Sequence, residues 1–464
     1  MDKKPNTGVQ IPLPPDQEKK VREVVDQLML TEGQVRQVMT TLEAEMWDGL
    51  SKDQGRRKRT SLQMENTYVR SLLNGKEEGD FLALDLGGTN FRVLLCKMRG
   101  GVCESLSRNY NVPKPKLHGP SIDVFDHLAE SIFLFMKEEN LLDRKLPLGF
   151  TFSFPMTQEG LNKGILVTWT KSFACPDGVG EDAVKMLEDA IERRGDIKVD
   201  VVAVLNDTTG TLLAGSYLDK KCGIGLIMGT GCNAAYVERI NNVDKWKDKD
   251  DTTDVVVIDI EWGAFGDNGS LDFTKTEFDT VVDAHSNWKG SFTFEKLFGG
   301  HYIGDLARLV LLKLTQQGLL FGGHVSEQLK TWKSFTAAHL SHIVRDTEKD
   351  TSNTDKALED IGLKQQATDA EKAVVRHLCW ALTHRATQFI SASLAVLVNH
   401  MKWQENSIAI DGSLYRYHPF LHDMMTAKVA ELAPEYKSKL ILAEDGSGRG
   451  AAFVAAVAVR MQNE

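Results

Sequence analysis

The stretch VVAVLNDTTG, residues 201–210, has the pattern of a buried strand that runs directly into polar residues and a helix start. Its first five residues are apolar and mostly branched, as in strands of a parallel sheet that is covered on both faces. Asn206 and Asp207 end the strand, and open α/β sheets bind their ligands at this carboxyl edge. The pattern therefore predicts a functional carboxylate at Asp207. The alternative is that Asp207 only caps the following helix.

The composition is that of a large globular protein. With 464 residues, the chain is long enough for two or three domains around a large core. Apolar residues make up 42% and charged residues 26%, which is typical of soluble proteins. The net charge of −10 argues against nucleic acid or a membrane surface as a partner. The six cysteines show no CxxC spacing, so we expect free thiols rather than a zinc site or a disulfide framework.

The N-terminal segment and the most apolar long segment predict neither a targeting peptide nor a membrane-spanning helix. The N-terminal segment has no apolar core and no arginine-rich amphipathic pattern, so we expect no signal or transit peptide. The most apolar long segment, residues 379–398, carries polar and charged side chains and is expected to be a buried helix. Two amphipathic helices are predicted near the N-terminus, the second starting with a capping box at Thr31 and Gln34. The basic run at residues 56–59 favours a solvated loop over a nuclear-localisation signal.

A first glycine turn lies in FLALDLGGTNFRVLLCKM, residues 81–98, where two apolar strand patterns flank it. The turn is formed by Gly87, Gly88, Thr89 and Asn90. The pattern predicts a β-hairpin whose backbone amides can cradle a phosphate. A plain hairpin turn, the alternative, would require neither Asp85 nor Arg92. The P-loop pattern GxxxxGK[ST] does not occur in the chain.

A second glycine turn, Gly229-Thr230-Gly231, lies within residues 223–240 and is again flanked by strand patterns. The string GTGCNA fits the dinucleotide-binding pattern GxGxxA, which should open a helix, whereas this segment continues as a strand. We therefore favour a second hairpin. Two such hairpins suggest two related halves, each offering one phosphate loop to a shared cleft.

The segment LGFTFSFPMTQEGLNKGILVTWTKSF, residues 148–173, resembles the signature of the hexokinase family throughout its length. LDLGGTNFRV and GTGCNA resemble the two phosphate loops of that family, and residues 410–419 and 444–452 resemble its adenosine-binding segment. The resemblance covers nearly the whole chain and is nearest to the single-unit, glucokinase-like animal enzymes. It implies an α/β protein with the two-domain ribonuclease H/actin-like ATPase fold, in which the active-site cleft lies between a small and a large domain.

The resemblance also implies the domain boundaries. Residues 74–206 would form the small domain and residues 207–444 the large one, to which residues 1–73 add helices. Residues 445–464 would return to the small domain as a C-terminal helix. The charged segments 245–254 and 345–356 are expected to be surface loops of the large domain.

The activity that the resemblance implies is transfer of a phosphoryl group from ATP, with Mg²⁺, to the 6-hydroxyl of a hexose. D-glucose is the expected substrate, and the products are hexose 6-phosphate and ADP, as in the first step of glycolysis. This chemistry requires positioning, charge stabilisation and a base near the attacking oxygen. Asp207 is the candidate base. Lys171 can stabilise the transferred phosphoryl group, or alternatively form a surface salt bridge, and Thr230 with its glycine amides can hold phosphate oxygens.

A sugar is bound by carboxylates and amides that make several hydrogen bonds at once. By resemblance, the hexose-binding residues are Ser153, Thr170, Lys171, Asn206, Asp207, Asn233, Glu261 and Glu295. A lone carboxylate in the apolar segment around Glu261 would be costly to bury without a partner. Without the resemblance, Glu295 would be assigned as an ordinary exposed helix residue.

The nucleotide-binding residues are also assigned by resemblance. They are Asp85, Gly87, Gly88, Thr89, Asn90, Arg92, Gly229, Thr230, Gly231, Gly300, Thr336, Ser341, Gly412, Ser413, Leu414 and Ser447. No side chain is expected to bind the metal directly, because Mg²⁺ would arrive with ATP and contact Asp85 and Asp207 through water. Two departures stand out: Asp259-Ile260 replaces the family's Asn-Thr and adds a carboxylate near the sugar, and Ala337 replaces an adenine-contacting threonine. Thr336 lies one residue before that position.

Two other classes of function are considered. A sugar sensor without catalysis would not need to keep Asp207, Lys171, Thr230 and both phosphate loops. A nicotinamide oxidoreductase would need the helix that GTGCNA lacks. We expect a cytoplasmic, monomeric, allosteric enzyme that binds glucose and other hexoses and ATP, with a regulatory protein left open as a further partner.

Overall fold

Two β-sheets form the framework of the molecule in the computed structural model, which describes residues 4–246 and 253–463. The strands are β1 (Glu65–Asn66), β2 (Gly79–Leu86), β3 (Asn90–Arg99), β4 (Val102–Asn111), β5 (Lys145–Phe152), β6 (Met156–Gly160), β7 (Lys163–Leu166), β8 (Lys198–Leu205), β9 (Cys222–Met228), β10 (Cys232–Arg239), β11 (Val255–Asp259), β12 (Glu405–Asp411) and β13 (Lys437–Leu442). The helices are α1 (Pro15–Val25), α2 (Glu32–Leu50), α3 (Gln54–Arg57), α4 (Lys114–Leu117), α5 (Ser121–Glu138), α6 (Ala183–Arg194), α7 (Asp207–Leu218), α8 (Glu277–His285), α9 (Thr293–Phe298), α10 (Ile303–Gln316), α11 (Glu327–Lys330), α12 (Ala337–Ile343), α13 (Ser352–Asp360), α14 (Asp369–Met401), α15 (Ser413–Tyr417), α16 (Leu421–Leu432) and α17 (Gly446–Asn463).

The first sheet has five strands in the order β4-β3-β2-β5-β8. β2 and β3 form the antiparallel hairpin predicted around the first glycine turn, whereas β2, β5 and β8 run parallel. The carboxyl ends of these three parallel strands therefore meet at one edge of the sheet. The buried strand predicted at residues 201–205 is confirmed as the second half of β8.

The second sheet has six strands in the order β1-β11-β10-β9-β12-β13. β9 and β10 form the second predicted hairpin, and β12 lies parallel to both β9 and β13. Because β10 follows the glycine turn as a strand, GTGCNA does not open a helix, and the dinucleotide-binding interpretation is wrong. Each sheet thus carries one glycine-turn hairpin.

Helices α7 and α17 lie between the two sheets and hold the hairpins in place. α17 packs against α7 and against β2, β5 and β8, while α7 also packs on β9. This close approach depends on glycine, since a Cβ at Gly149 would overlap the carbonyl of Ala451, and one at Gly450 would overlap the backbone of Gly210. The opposite face of the five-stranded sheet has its own apolar core, formed with α5 and α6.

Helix α14, the longest in the described ranges, confirms the predicted buried helix at residues 379–398. A search of the described residues finds no helix long and apolar enough to cross a membrane. The predicted capping box is also present: the Thr31 hydroxyl accepts from the Gln34 backbone, and the Gln34 side chain accepts from the Thr31 backbone. All six cysteines are free thiols, as predicted.

Two surface predictions need correction. The basic run at residues 56–59 is not wholly a loop, because α3 includes its first two arginines and Arg56 pairs with Asp48 at 2.8 Å. Residues 345–356 do not form a continuous loop, since α13 begins at Ser352, where the Asp346 carboxylate accepts hydrogen bonds from the Thr354 backbone and hydroxyl at 2.7 Å. Of the other predicted loop, residues 247–252 lie outside the described residues.

Candidate active site

A cleft of about 1100 Å³ opens where the two sheets meet. Its walls contain the catalytic and hexose-binding residues predicted from the sequence: Ser153, Thr170, Lys171, Asn206, Asp207, Thr230, Asn233, Glu261 and Glu295. A smaller recess of about 270 Å³ shares Gly87, Ser153 and Asp207 with the cleft and reaches the Asp85 side of the first hairpin. Residues from widely separated parts of the chain are therefore collected around one space.

Asp207 is the first residue of α7, and the helix is capped by Asn206 instead. The Asn206 carboxamide oxygen accepts from the Thr208 backbone at 3.0 Å and from its hydroxyl at 2.9 Å. The proposal that Asp207 is merely a cap is therefore wrong. Burial raises the pKa of Asp207, the Lys171 ammonium opposes this rise, and the nearby Asp85 carboxylate adds to it. The carboxylate is a better proton acceptor than an exposed aspartate.

Lys171 joins the first glycine turn to the end of β5. Its ammonium donates to the carbonyl oxygen of Gly87 and, at 2.9 Å, to that of Ser153. The residue adopts a left-handed backbone with φ of 60°, which is costly for a side chain bearing a Cβ and is often found at functional sites. Loss of hydration lowers the pKa of Lys171, whereas Asp207, Asp85 and Glu295 raise it. No ion pair of Lys171 is found within residues 4–246 and 253–463, so the surface salt-bridge alternative is wrong.

Asn206, Asn233, Asp259 and Glu261 form one hydrogen-bonded group on the other wall. The Glu261 carboxylate accepts from Asn206 at 3.1 Å and from Asn233 at 3.3 Å. Asn233 also donates to Asp259 at 2.8 Å, so the extra carboxylate is part of this group, as expected from the sequence. Burial, followed by the neighbouring Asp259, raises the pKa of Glu261 well above its usual value, and burial raises that of Asp259 to about 7. The pair therefore tends to hold a proton.

Glu295 faces inward from α9. Its Oε2 atom accepts from the backbone of Cys232 at 3.1 Å, and a side chain at Gly231 would overlap the same oxygen. The exposed-helix alternative for Glu295 is therefore wrong. On the facing wall, the Ser153 hydroxyl is buried and has no hydrogen-bond partner among the described residues. A polar ligand in the cleft would satisfy this hydroxyl.

On the side of the cleft where the sequence predicts the nucleotide, Asp85 anchors the first hairpin to α17. It pairs with Arg92 at 2.5 Å and accepts from the Ser447 hydroxyl at 2.9 Å, and Arg92 also pairs with Asp445. Asn90 lines the same recess. Gly88 is half-buried. The carbonyl oxygen of Thr89, the next residue, accepts a hydrogen bond from the Val112 backbone at 2.8 Å.

The second glycine turn is held by backbone contacts. The Gly229 and Thr230 carbonyls accept from the backbones of Gly300 and His301, both at 3.0 Å. Gly412 has a φ of 121°, and with Ser413 it lines the cleft beside this turn.

Three residues that the sequence predicts to bind the nucleotide make contacts within helices α12 and α15. The Thr336 hydroxyl caps α12 by accepting from the His339 backbone at 3.3 Å. The buried Ser341 donates to the carbonyl of Ala337 at 3.0 Å, and Leu414 is buried in α15.

Sequence reasoning missed part of the wall. His301, Tyr302, Asp305, Trp332 and Lys333 continue the cleft beyond Thr230. The Lys333 ammonium lies 2.9 Å from Asp305 and donates to the His301 carbonyl. These residues form no recognisable sequence pattern, because His301 and Tyr302 directly precede α10, Asp305 lies in its first turn, and the other two lie in a turn further along the chain.

Asp411 and Asp445 were also missed, although both precede a glycine after a strand. Asp411 accepts from the backbones of Gly412 and Gly446, at 2.7 and 2.9 Å. The Asp-Gly pair after each strand pattern is the feature of the sequence that could have predicted both residues as part of the site. Within the described ranges there is no group of three or more histidine, cysteine or acidic residues arranged to hold a metal ion.

Comparison with known proteins places this arrangement in a family. Two family models described as hexokinase match residues 20–217 and 223–457. Hexokinase-1 of Mus musculus is 39% identical over 458 residues, covering 97% of this chain and 46% of that protein. Hexokinase-2 of Homo sapiens is 39% identical over 457 residues, covering 96% and 49%. The chain thus spans about half the length of the curated relatives it matches.

A solved structure matches over its full length. The hexokinase from Schistosoma mansoni complexed with glucose has a TM-score of 0.86 and 35% sequence identity, covering 95% of this chain and 99% of that one. The agreement confirms the two-domain α/β fold expected from the sequence. With both halves matched in order and the cleft between them formed, this chain belongs to the hexokinase family.

Proposed function

We propose that this chain catalyses ATP-dependent phosphorylation of a hexose at its 6-hydroxyl, with D-glucose as the expected substrate and hexose 6-phosphate and ADP as products. The observation that carries the proposal is the position of Asp207 in the cleft. A desolvated carboxylate and the Lys171 ammonium interact there, between two glycine turns and a set of amides and carboxylates. That combination serves phosphoryl transfer to a hydroxyl.

The sugar would lie between Ser153 and Thr170 on one wall and Asn206, Asn233 and Glu261 on the other. Carboxylates accept hydrogen bonds from sugar hydroxyls, while the amides and the Ser153 hydroxyl also donate. Glu295 would complete the set from α9. The bound sugar would replace hydrogen bonds to water with several fixed ones, which orients the 6-hydroxyl toward Asp207.

Asp207 would take the proton of the attacking hydroxyl and aim its oxygen at the γ-phosphorus. Lys171 would stabilise the charge on the transferred group, since its ammonium is fixed by two carbonyl oxygens and points into the cleft. Thr230 and the amides of the second turn would hold phosphate oxygens. In the first turn, Gly87, Gly88 and Thr89 would do the same beside Asp85.

The donor set also fits magnesium carried by the nucleotide. Asp85 lies close enough to Asp207 to raise its pKa. The two carboxylates would therefore present negative charge to a cation bound at the phosphates. When bound, Mg²⁺ supplies neutralisation of phosphate charge. Ser413 and Ser447 would contact the nucleotide, and Thr336, Ser341 and Leu414 would shape the adenosine side through α12 and α15.

Further features of this proposal rest on the sequence and on family membership. The small domain would be residues 74–206 with the returning helix 445–464, and the large domain residues 1–73 and 207–444. The separate sheets and the separate core beside α5 and α6 support that division. Action as a monomer, a cytoplasmic location and allosteric behaviour are additional predictions.

A coupled assay of glucose-dependent ADP formation tests the function. We expect turnover that requires glucose, ATP and Mg²⁺ together. Glucose binding without ADP formation would instead support a sugar sensor and would refute the catalytic proposal.

A further inference from the structure

A buried glutamine outside the cleft lining joins three parts of the chain that surround the proposed sugar site. Gln158 lies on β6 and is 8% exposed. Its side-chain nitrogen donates to the carbonyl oxygens of Val204 on β8 and of Thr67 in the segment after β1, both at 2.9 Å. The amide nitrogen carries two N–H bonds, so these two carbonyls use its whole donor capacity. Any effect of Gln158 on a bound sugar must therefore pass through the elements that it joins.

The hairpin that carries Gln158 also carries the first wall of the proposed sugar site. β6 pairs antiparallel with β7, and at the open end of this hairpin the Val167 N–H donates to the Pro155 carbonyl oxygen at 2.9 Å. Ser153 lies just before the hairpin and Thr170 lies just after it. Because the chain is continuous, a displacement of the hairpin would move both of these residues.

The first partner of Gln158 holds the free edge of β8. This strand is the last of the five-stranded sheet and pairs with β5 on one side. On the other side, the Val204 N–H donates to the carbonyl oxygen of Leu161, in the turn between β6 and β7, at 2.8 Å. Both backbone groups of Val204 are thus held by the hairpin and by Gln158. Asn206 and Asp207 follow directly at the end of this strand, so the hairpin also fixes the position of that end.

The second partner of Gln158 lies in the segment that follows β1 and runs beside β11. The Thr67 hydroxyl donates to the carbonyl oxygen of Val257 at 2.8 Å, and the Val257 N–H donates to the carbonyl oxygen of Val69 at 2.8 Å. Between them, Tyr68 has a left-handed backbone with φ of 59°, a conformation that persists only where the surrounding contacts enforce it. β11 ends at Asp259, so this segment is fastened to the strand that leads into the other wall.

We propose that Gln158 is a positioning residue for the hexose. Its amide holds the hairpin wall of Ser153 and Thr170 in place against the ends of β8 and β11, which contribute to the facing wall. The inference rests on the proposed function, because it concerns the same sugar site. Without the amide, two buried carbonyl oxygens would lack a partner unless the hairpin shifted or water entered. A sugar that must reach both walls at once is sensitive to such a shift.

The test is Gln158→Met, which removes both hydrogen bonds and keeps a side chain of similar size. In isothermal titration calorimetry of the whole chain with D-glucose, we expect the Kd to rise roughly 10–10²-fold, since the two walls no longer meet the sugar together. The KM for ATP should change little, because the second glycine turn is held by Gly300 and His301. A glucose Kd equal to that of the wild type would overturn the proposal.

Gln388→Met is the matched control for lost stability. Gln388 is buried in α14, and its side chain makes two hydrogen bonds with the backbone of Leu30, at 2.7 and 2.9 Å. Its replacement should lower the melting temperature, as Gln158→Met does, but leave the glucose Kd unchanged. An equal rise of the glucose Kd in both variants would show that general destabilisation causes it, and would overturn the positioning role of Gln158.

Thr67→Val tests the next contact, because it removes the hydroxyl that binds Val257 while leaving the Thr67 carbonyl for Gln158. The glucose Kd should rise by a smaller factor than in Gln158→Met. The double variant should show less than the product of the two factors, since residues in one hydrogen-bonded network are not independent. Should Gln158→Met fail to fold, an unchanged Kd in Thr67→Val overturns the proposal.

The wild-type titration separates this inference from the proposed function. A wild-type chain that binds no glucose would overturn both. Glucose binding and glucose-dependent ADP formation by the wild type, with an unaffected Gln158→Met, would overturn the positioning role alone.

Discussion

Replacement of Asp207 by asparagine is the sharpest test of the proposed chemistry. The substitution keeps the size of the side chain and removes only its charge and its ability to accept a proton. Loss of a general base typically costs about 10²–10⁴ in rate, or roughly 3–5 kcal/mol of barrier. We therefore expect kcat of Asp207→Asn to fall by at least ~10², with some glucose binding retained through Asn206, Asn233 and Glu261.

The structure also predicts what this substitution does to stability. The cap of α7 is the Asn206 side chain, so it is untouched. Burial raises the pKa of Asp207, which means that the ionised carboxylate opposes folding at neutral pH. The melting temperature of Asp207→Asn should therefore equal or exceed that of the wild type.

The measurement is kcat and KM for glucose and ATP together with thermal melting, on Asp207→Asn and on a matched control. Asp200→Asn serves as that control, because Asp200 lies on the same strand and pairs with Lys145 at 2.7 Å on the exposed surface. It should change neither quantity appreciably. Turnover of Asp207→Asn close to the wild type would refute the general-base assignment, and a fall in melting temperature would refute the argument from burial.

Three further predictions follow from the cleft. Lys171→Ala should lower kcat far more than it raises the glucose KM, since its ammonium acts on the transferred group, and a change confined to KM would limit it to sugar binding. Burial raises the pKa of Asp259, so the folded state is stabilised when this side chain is protonated. That contribution to the free energy of unfolding should be lost as pH rises from about 4 through about 7. Asp259→Asn should therefore flatten the dependence of melting temperature on pH, and an unaltered slope would contradict a shared proton between Asp259 and Glu261. Saturating glucose should reduce the radius of gyration in solution scattering, since ligands on both walls favour closure, and an identical profile would remove this expectation.

Local features of the fold could be predicted because they depend on neighbours in the sequence. The apolar run ending at Leu205 predicted a buried strand, and each glycine turn between two strand patterns predicted a hairpin; both predictions are confirmed. The same locality explains the errors at the surface. α13 begins inside a charged segment because the Asp346 carboxylate accepts a hydrogen bond from the backbone of Thr354, eight residues later, and charge patterning alone does not predict that contact.

By itself, the sequence determined the order of strands and turns, the family, and the residue types that surround the proposed chemistry. Only the tertiary structure decided which of them meet: Ser447 with Asp85, and Asn233 with both Asp259 and Glu261. The physical reason is that a strand or turn is indicated by the types and spacing of residues close in sequence, whereas burial and charge depend on packing between elements far apart. Loss of hydration raises the pKa of Asp207, and it exists only once the elements around the cleft have closed on that side chain.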